Sequence, residues 1–184
     1  MAANNTTLYI LNEDNTIHWP NYKLYLEKNN LQRLKGPLPA PYSEYEVNAM
    51  CDMKGTDIPD ALFHYLTKVS SCMSITRYPF KFNLDSLPTQ EEAKKICIPY
   101  ETTFLDEDSF YYRDEETTEA GFLDGDEFCR CMVRITDEGE LSENIYLGSG
   151  AHYGSVWRYN NDNQIVWTKT KNTLDDFIIG GLNL

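Results

Sequence analysis

The chain has 184 residues, 41% hydrophobic and 13% aromatic, which suits a globular protein with a core of its own. Its 16 basic residues stand against 29 acidic ones for a net charge of -13, which argues against direct binding to a phosphate backbone and favours a basic protein partner. Apolar runs fall far short of the roughly 20 residues a membrane span needs, and Met1 to Thr7 lacks the pattern of a signal peptide, so a cytoplasmic protein is expected.

Thr7 to Leu11 reads as a short opening strand. After Pro20 the pattern is helical, with Trp19, Tyr22, Leu26, Leu31 and Leu34 as inward residues. Gly36-Pro37-Leu38-Pro39-Ala40-Pro41 cannot continue it, because proline lacks the amide donor and restricts the residue before it.

Ser43 and Glu46 form a capping box, flanked by Tyr42 and Val47 at staple positions, and start a helix that ends near Gly55. Asp57 is placed to cap the next one, with Pro59 in its first turn and Ile58, Leu62, Tyr65, Leu66 and Val69 on its buried side. Met73 to Arg77 and Pro79 to Leu84 read as extended pieces. Thr89 can cap a short helix from Glu91 to Cys97 that Pro99 stops.

Between Asp106 and Glu127 lie ten acidic residues and a single basic one, Arg113, interleaved with Phe104, Phe110, Tyr111, Tyr112 and Phe122. A solvated acidic loop explains such a run. A binding surface explains it too, with Asp106, Asp108, Asp114, Glu115, Glu116, Glu119, Asp124, Asp126 and Glu127 steering a basic partner and Tyr111 and Tyr112 as contact anchors. Neither Asp106-Glu107-Asp108 nor Asp124-Gly125-Asp126-Glu127 sits in the twelve-residue loop that binds calcium in EF-hands.

Phe128 to Thr136 alternates as a strand, with Cys129, Cys131, Val133 and Ile135 on one face, and Asp137 to Glu140 is a hairpin turn into Leu141 to Leu147. Gly148, Gly150 and Gly154 lead to a strand from Ser155 to Tyr159, and Asn160 to Asn163 turn it into Ile165 to Trp167. The three make an antiparallel meander. Asn172 or Thr173 then caps a final helix, with Asp175 and Asp176 in its first turn and Leu174, Phe177 and Ile178 inward.

No motif for a catalytic set or a cofactor occurs. Ser149 and His152 lie close in sequence, but a nucleophile needs a base in reach and a group to orient that base, and a loop between strands explains the same letters. The five cysteines lack Cys-x-x-Cys spacing and stand apart from His18, His64 and His152, so they read as buried apolar groups and not as metal ligands. Non-enzymatic function is expected, with no metal and no cofactor.

The Gly148, Gly154, Val156-Trp157-x-Tyr159, Leu174, Phe177, Ile178 order resembles the C-terminal half of the SUKH superfamily, which includes fungal cell-wall-synthesis regulators and bacterial toxin-immunity proteins. Ser43 to Lys54, Gly55 to Pro59 and Asp60 to Val69 are similar to that family's N-terminal helix, apolar-residue-Pro loop and second helix. The link between the two matches, residues 76 to 127, is longer than the family's. The resemblance implies one α+β domain over 1–184, with 1–41 an N-terminal extension and 100–127 an acidic insertion. The expected sheet is antiparallel, of about five or six strands, with N-terminal helices and a C-terminal helix packed on it. It further implies a protein-interaction role such as binding a toxin or nuclease effector. A structural component of a larger assembly, for example a large-DNA-virus particle protein, is the alternative.

Overall fold

The computed structural model describes residues 9–29, 36–73, 80–82, 84–94, 109–135, 141–160 and 166–180. The expectations for Thr7 and Leu8, Leu31 and Leu34, residues 74–79, Cys97, Phe104, Asp106, Asp108 and the 137–140 turn lie outside them.

Leu11 forms only an isolated bridge with Ile17, which leads into α1, Trp19–Lys28. Pro20 is tolerated in its first turn, where amides have no helical partner anyway, and the His18 ring accepts from Asn21 N. Helix α2, Glu44–Lys54, carries the capping box in full: Ser43 Oγ accepts from Glu46 N at 3.2 Å, and Glu46 Oε2 accepts from Ser43 N at 2.8 Å. It closes on Gly55 at φ +62°, a left-handed position that suits glycine.

Helix α3 runs Asp60–His64 and widens into a π turn over Tyr65–Val69. Asp57 does not cap it; the N-cap is Pro59, extended and without a side-chain bond, because the chain enters from the extended backbone that proline fixes. Strands β1 (Cys72–Met73) and β2 (Phe80–Lys81) pair as a small antiparallel ribbon. After a 3-10 turn, Leu84–Ser86, comes α4, Gln90–Lys94, with a second capping box between Thr89 and Glu92.

The main sheet has six strands: β3 Ser109–Asp114, β4 Ala120–Asp124, β5 Met132–Arg134, β6 Leu141–Tyr146, β7 Val156–Asn160 and β8 Val166–Lys169. Their order is β4-β3-β8-β7-β6-β5. The β6-β7-β8 meander is antiparallel as expected. The sheet as a whole is mixed, because β8 inserts beside β3 and pairs with it in parallel. Helix α6, Leu174–Gly180, closes the fold with Thr173 as its cap, whose hydroxyl accepts from Asp176 N at 3.1 Å.

One sheet face is covered by helices. Val133, Ile135, Ile145, Leu147 and Val156 pack there with Trp19, Tyr22, Leu26, Leu62, Tyr65, Leu66 and Ile178. Each such side chain contributes roughly 1.5–3 kcal/mol by leaving water. Helix α1, within the expected 1–41 extension, therefore packs into the core; the Tyr22 hydroxyl even donates to Ile178 O at 3.1 Å.

The opposite face is aromatic: Tyr112, Phe128, Tyr146, Trp157 and Trp167, with Ala93 of α4 and Cys131. Here the expected strand from Phe128 fails, since Gly125–Arg130 winds into a short helix, α5. That turn delivers Phe128, 1% exposed, onto Tyr146 at 5.3 Å and edge-on to Trp157 at 4.9 Å. Cys129 faces out in consequence, while Cys72 and Cys131 are buried and Cys51 is half-buried.

Candidate functional site

From Ser109 on, the acidic stretch is not one continuous loop. Ser109 to Asp124 fold back as the β3–β4 hairpin, with Tyr111 opposite Phe122 and Tyr112 opposite Gly121. The strand period sorts its residues by face. Tyr112 is 5% exposed beside Trp157, so it cannot serve as the contact anchor expected of it. Tyr111 is half-buried, with the Arg113 guanidinium 5.5 Å from its ring centre.

Asp114 ends β3 on the same face as Tyr112 and beside Lys169 of β8. Its carboxylate accepts from Lys169 Nζ at 2.9 Å and from the amides of Glu116 at 2.8 Å and Thr117 at 3.2 Å. Burial pushes its pKa up, but the Lys169 hydrogen bond and the two amides outweigh that and hold it below its ordinary value. This acid shapes the turn and is closed to a partner, being 3% exposed. Lys169, the group that makes its burial tolerable, gives no sign of that role in the sequence, since it lies 55 residues away.

Beyond Asp114 the turn passes through Thr118 at φ +62° and returns at Glu119, whose carbonyl accepts from Asp114 N at 2.9 Å. Glu115, Glu116 and Glu119 are exposed on it. Glu115 is already engaged: one oxygen accepts from Lys171 N at 3.3 Å and the other lies 3.9 Å from Arg158, which also donates to Glu143 at 2.9 Å. Such half-exposed pairs contribute at most about 1 kcal/mol. Glu116 and Glu119 are left as the outward carboxylates of the tip. Asp124 ends β4, and Asp126 and Glu127 lie in α5, away from the turn in sequence and across the hairpin from it. Asp106 and Asp108 are outside the described residues. The structure thus gathers Glu115, Glu116 and Glu119, removes Asp114 and Tyr112 from the surface, and leaves Tyr111 half-covered.

Ser149 and His152 occupy different settings. Ser149 is exposed, and its amide donates to Ala93 O at 2.9 Å, tying the β6–β7 loop to α4. His152 is buried with its ring 5.9 Å from Trp157; its carbonyl accepts from the Ser155 hydroxyl, which in turn accepts from Trp157 Nε1. Burial, then the Lys169 charge, lower the His152 pKa, with Asp114 and Glu119 opposing. Ser149, together with Gly55, Asp57, Gln90, Gly150 and Tyr153, lines an open depression of about 310 Å³ between the α2 cap, α4 and this loop. Among the described residues no group of three or more His, Cys, Asp or Glu is placed to hold a metal ion.

No protein-family model, curated protein or solved structure matches the chain.

Proposed function

We propose that this chain is a non-enzymatic protein-interaction module that captures a basic protein through the tip of the β3–β4 hairpin, in line with the role that the SUKH resemblance implies. A toxin or nuclease effector fits the required charge. The observation that carries the reading is the exposure of Glu116 and Glu119 on a turn tied from beneath by the buried Asp114 carboxylate, which pairs with Lys169. A fixed acidic point on a protein of net charge -13 speeds encounter with a cation-rich surface and orients it, which is what rim charges do best.

The test is capture of a basic partner from the native source, identified by mass spectrometry, by wild type and by E116K/E119K. Both substitutions are exposed and spare the Asp114 network, so the thermal melt should stay within about 0.5 kcal/mol of wild type. Capture should be lost with the reversal and weaken with added salt. Undiminished capture by the reversed variant would place the interface elsewhere.

A further inference from the structure

The depression beside the α2 cap is walled by three pieces of chain that are bonded to one another. Thr56 donates its hydroxyl to Pro88 O at 2.6 Å, which joins the loop after α2 to the segment that enters α4. Ser149 N donates to Ala93 O at 2.9 Å, which joins the β6–β7 loop to the same helix. Where the first two walls meet, Gly55 packs so closely that a Cβ on it would stand 3.3 Å from Gln90 Cβ. On the third wall a Cβ at Gly148 would fall on the Tyr146 ring, so only glycine lets the loop lie this low. The concavity is thus held by the fold itself.

Its lining divides into a buried part and a polar, exposed part. Thr56, Ala93, Leu147 and Gly148 are buried, whereas Asp57, Gln90, Lys94, Ser149 and Tyr153 are exposed. The side chains of Asp57, Gln90, Lys94 and Tyr153 make no hydrogen bond or ion pair among the described residues. Their chain neighbours are engaged: Lys54 gives its ammonium to Asp85 O, and Glu92 accepts from Thr89 N. Asp57 follows Gly55 by two residues, and Lys94 follows Gln90 by one helical turn, so a carboxylate and an ammonium stand on different walls. Tyr153 lies in the field of Asp57: burial first, then Asp57, Cys51 and Asp60, push its pKa up to about 12, so at neutral pH its phenol remains a hydrogen-bond donor.

We propose that this depression binds a small zwitterion, a free amino acid with an apolar side chain, whose carboxylate pairs with Lys94 and whose ammonium pairs with Asp57. Ala93, Leu147 and the Tyr153 ring supply the apolar surface for the rest of the ligand. A volume of about 310 Å³ stands at the lower end of the roughly 300–1,000 Å³ of small-molecule sites, which suits a single amino acid and not a folded segment of a partner. A plain anion would meet Asp57 as a like charge, and a plain cation would meet Lys94 as one; a molecule carrying both signs satisfies both walls. Because the two charged groups are exposed and screened, the dissociation constant is expected on the order of 1 mM. This site is separate from the β3–β4 tip and stands or falls without it.

The experiment is an NMR titration of the isotope-labelled full chain with leucine, methionine and phenylalanine, each to about 20 mM, beside the N-acetyl and amide forms of each, which lack one charge. At least one free amino acid should give saturable shifts at the Gly148 and Gly150 amides, and its N-acetyl and amide forms should bind at least about tenfold more weakly. D57N and K94Q should each lose at least about tenfold in affinity, and K94Q should no longer distinguish the free acid from the amide. Because both substituted side chains are exposed, the two variants should melt like wild type, and E116K/E119K should bind the amino acid as wild type does. Absence of saturable shifts with all three amino acids would overturn the proposal. So would undiminished binding in D57N and K94Q, or an N-acetyl form that binds as tightly as the free amino acid, since the depression would then be a plain anion site.

Discussion

The two faces of the main sheet are built from different chemistry. Beneath the helices, the strands offer Val133, Ile135, Ile145, Leu147 and Val156, which carry no polar side-chain atom. On the other face, Tyr112, Tyr146, Trp157 and Trp167 share the surface with a partly buried ion pair, Asp114–Lys169, and with His152. The strand side chains of the aliphatic face hold by burial and carry nothing to titrate. The aromatic face buries larger groups, but each polar handle it brings inside needs a partner. Trp157 Nε1 has one in Ser155 Oγ at 2.8 Å, whereas no partner is recorded for Trp167 Nε1 among the described residues. Stability at neutral pH should therefore draw on both faces, and its dependence on pH mainly on the second.

The contrast breaks first at its largest side chains. Trp157 is 1% exposed, edge-on to Phe128 and close to Tyr112 and His152, so Trp157→Ala should cost about 3–5 kcal/mol in chemical denaturation. Ile145→Ala, on the aliphatic face at 0% exposure, should cost about 2–5 kcal/mol. The difference between them should appear in acid: the Ile145→Ala deficit stays constant with pH, while Trp157→Ala, by opening the site around His152, flattens the pH profile. Parallel profiles for the two variants would remove the distinction between the faces.

Next is the ion pair. Asp114→Ala strands the Lys169 ammonium, 15% exposed, and leaves the amides of Glu116 and Thr117 without their acceptor, for a cost of about 3 kcal/mol. The Asp114 carboxyl is held below its ordinary 3.8, so its contribution is present above the unfolded value and lost as pH falls through the folded one. Equilibrium unfolding of wild type and variant should accordingly differ at pH 7 and converge below about pH 3.8. A constant gap down to strong acid would show that packing, and not charge, holds the turn.

These elements also mark how far the letters alone reach. Ser43-x-x-Glu46 and Thr173 are legible because a cap is a local bond between residues three apart, and the meander is legible because β-branched and aromatic bursts alternate with Gly and Asn. Asp106 to Glu127 misleads because charge density obscures a period of two: Tyr112 and Asp114 point to one face, and only the presence of β8 alongside makes that face an interior. Lys169 and the parallel β3–β8 pairing are long-range facts with no local signal. From Phe128 on the alternation is real, yet the chain is helical as far as Arg130 and Phe128 stacks on Tyr146, a tertiary preference overriding a local one.

The smallest effect is the most specific to the aromatic face. His152 is 5% exposed, and its pKa lies below the ordinary 6.5 because burial, then the Lys169 ammonium, disfavour the imidazolium more than Asp114 and Glu119 favour it. The unfolded chain therefore takes up this proton at a higher pH than the folded one. The neutral ring stabilises the fold fully above about 6.5, and the contribution is lost as pH falls through the folded value, at no more than about 1.4 kcal/mol per pH unit for a single proton. Melting temperatures at pH 7.5, 6.5 and 5.5 should decline for wild type over that range. His152→Gln, with nothing to titrate there, should decline less even if it begins lower. Lys169→Met removes the cation that depresses the imidazole, so this variant's decline should be smaller than that of wild type, and a larger one would mean that the acids, and not burial with Lys169, govern this ring.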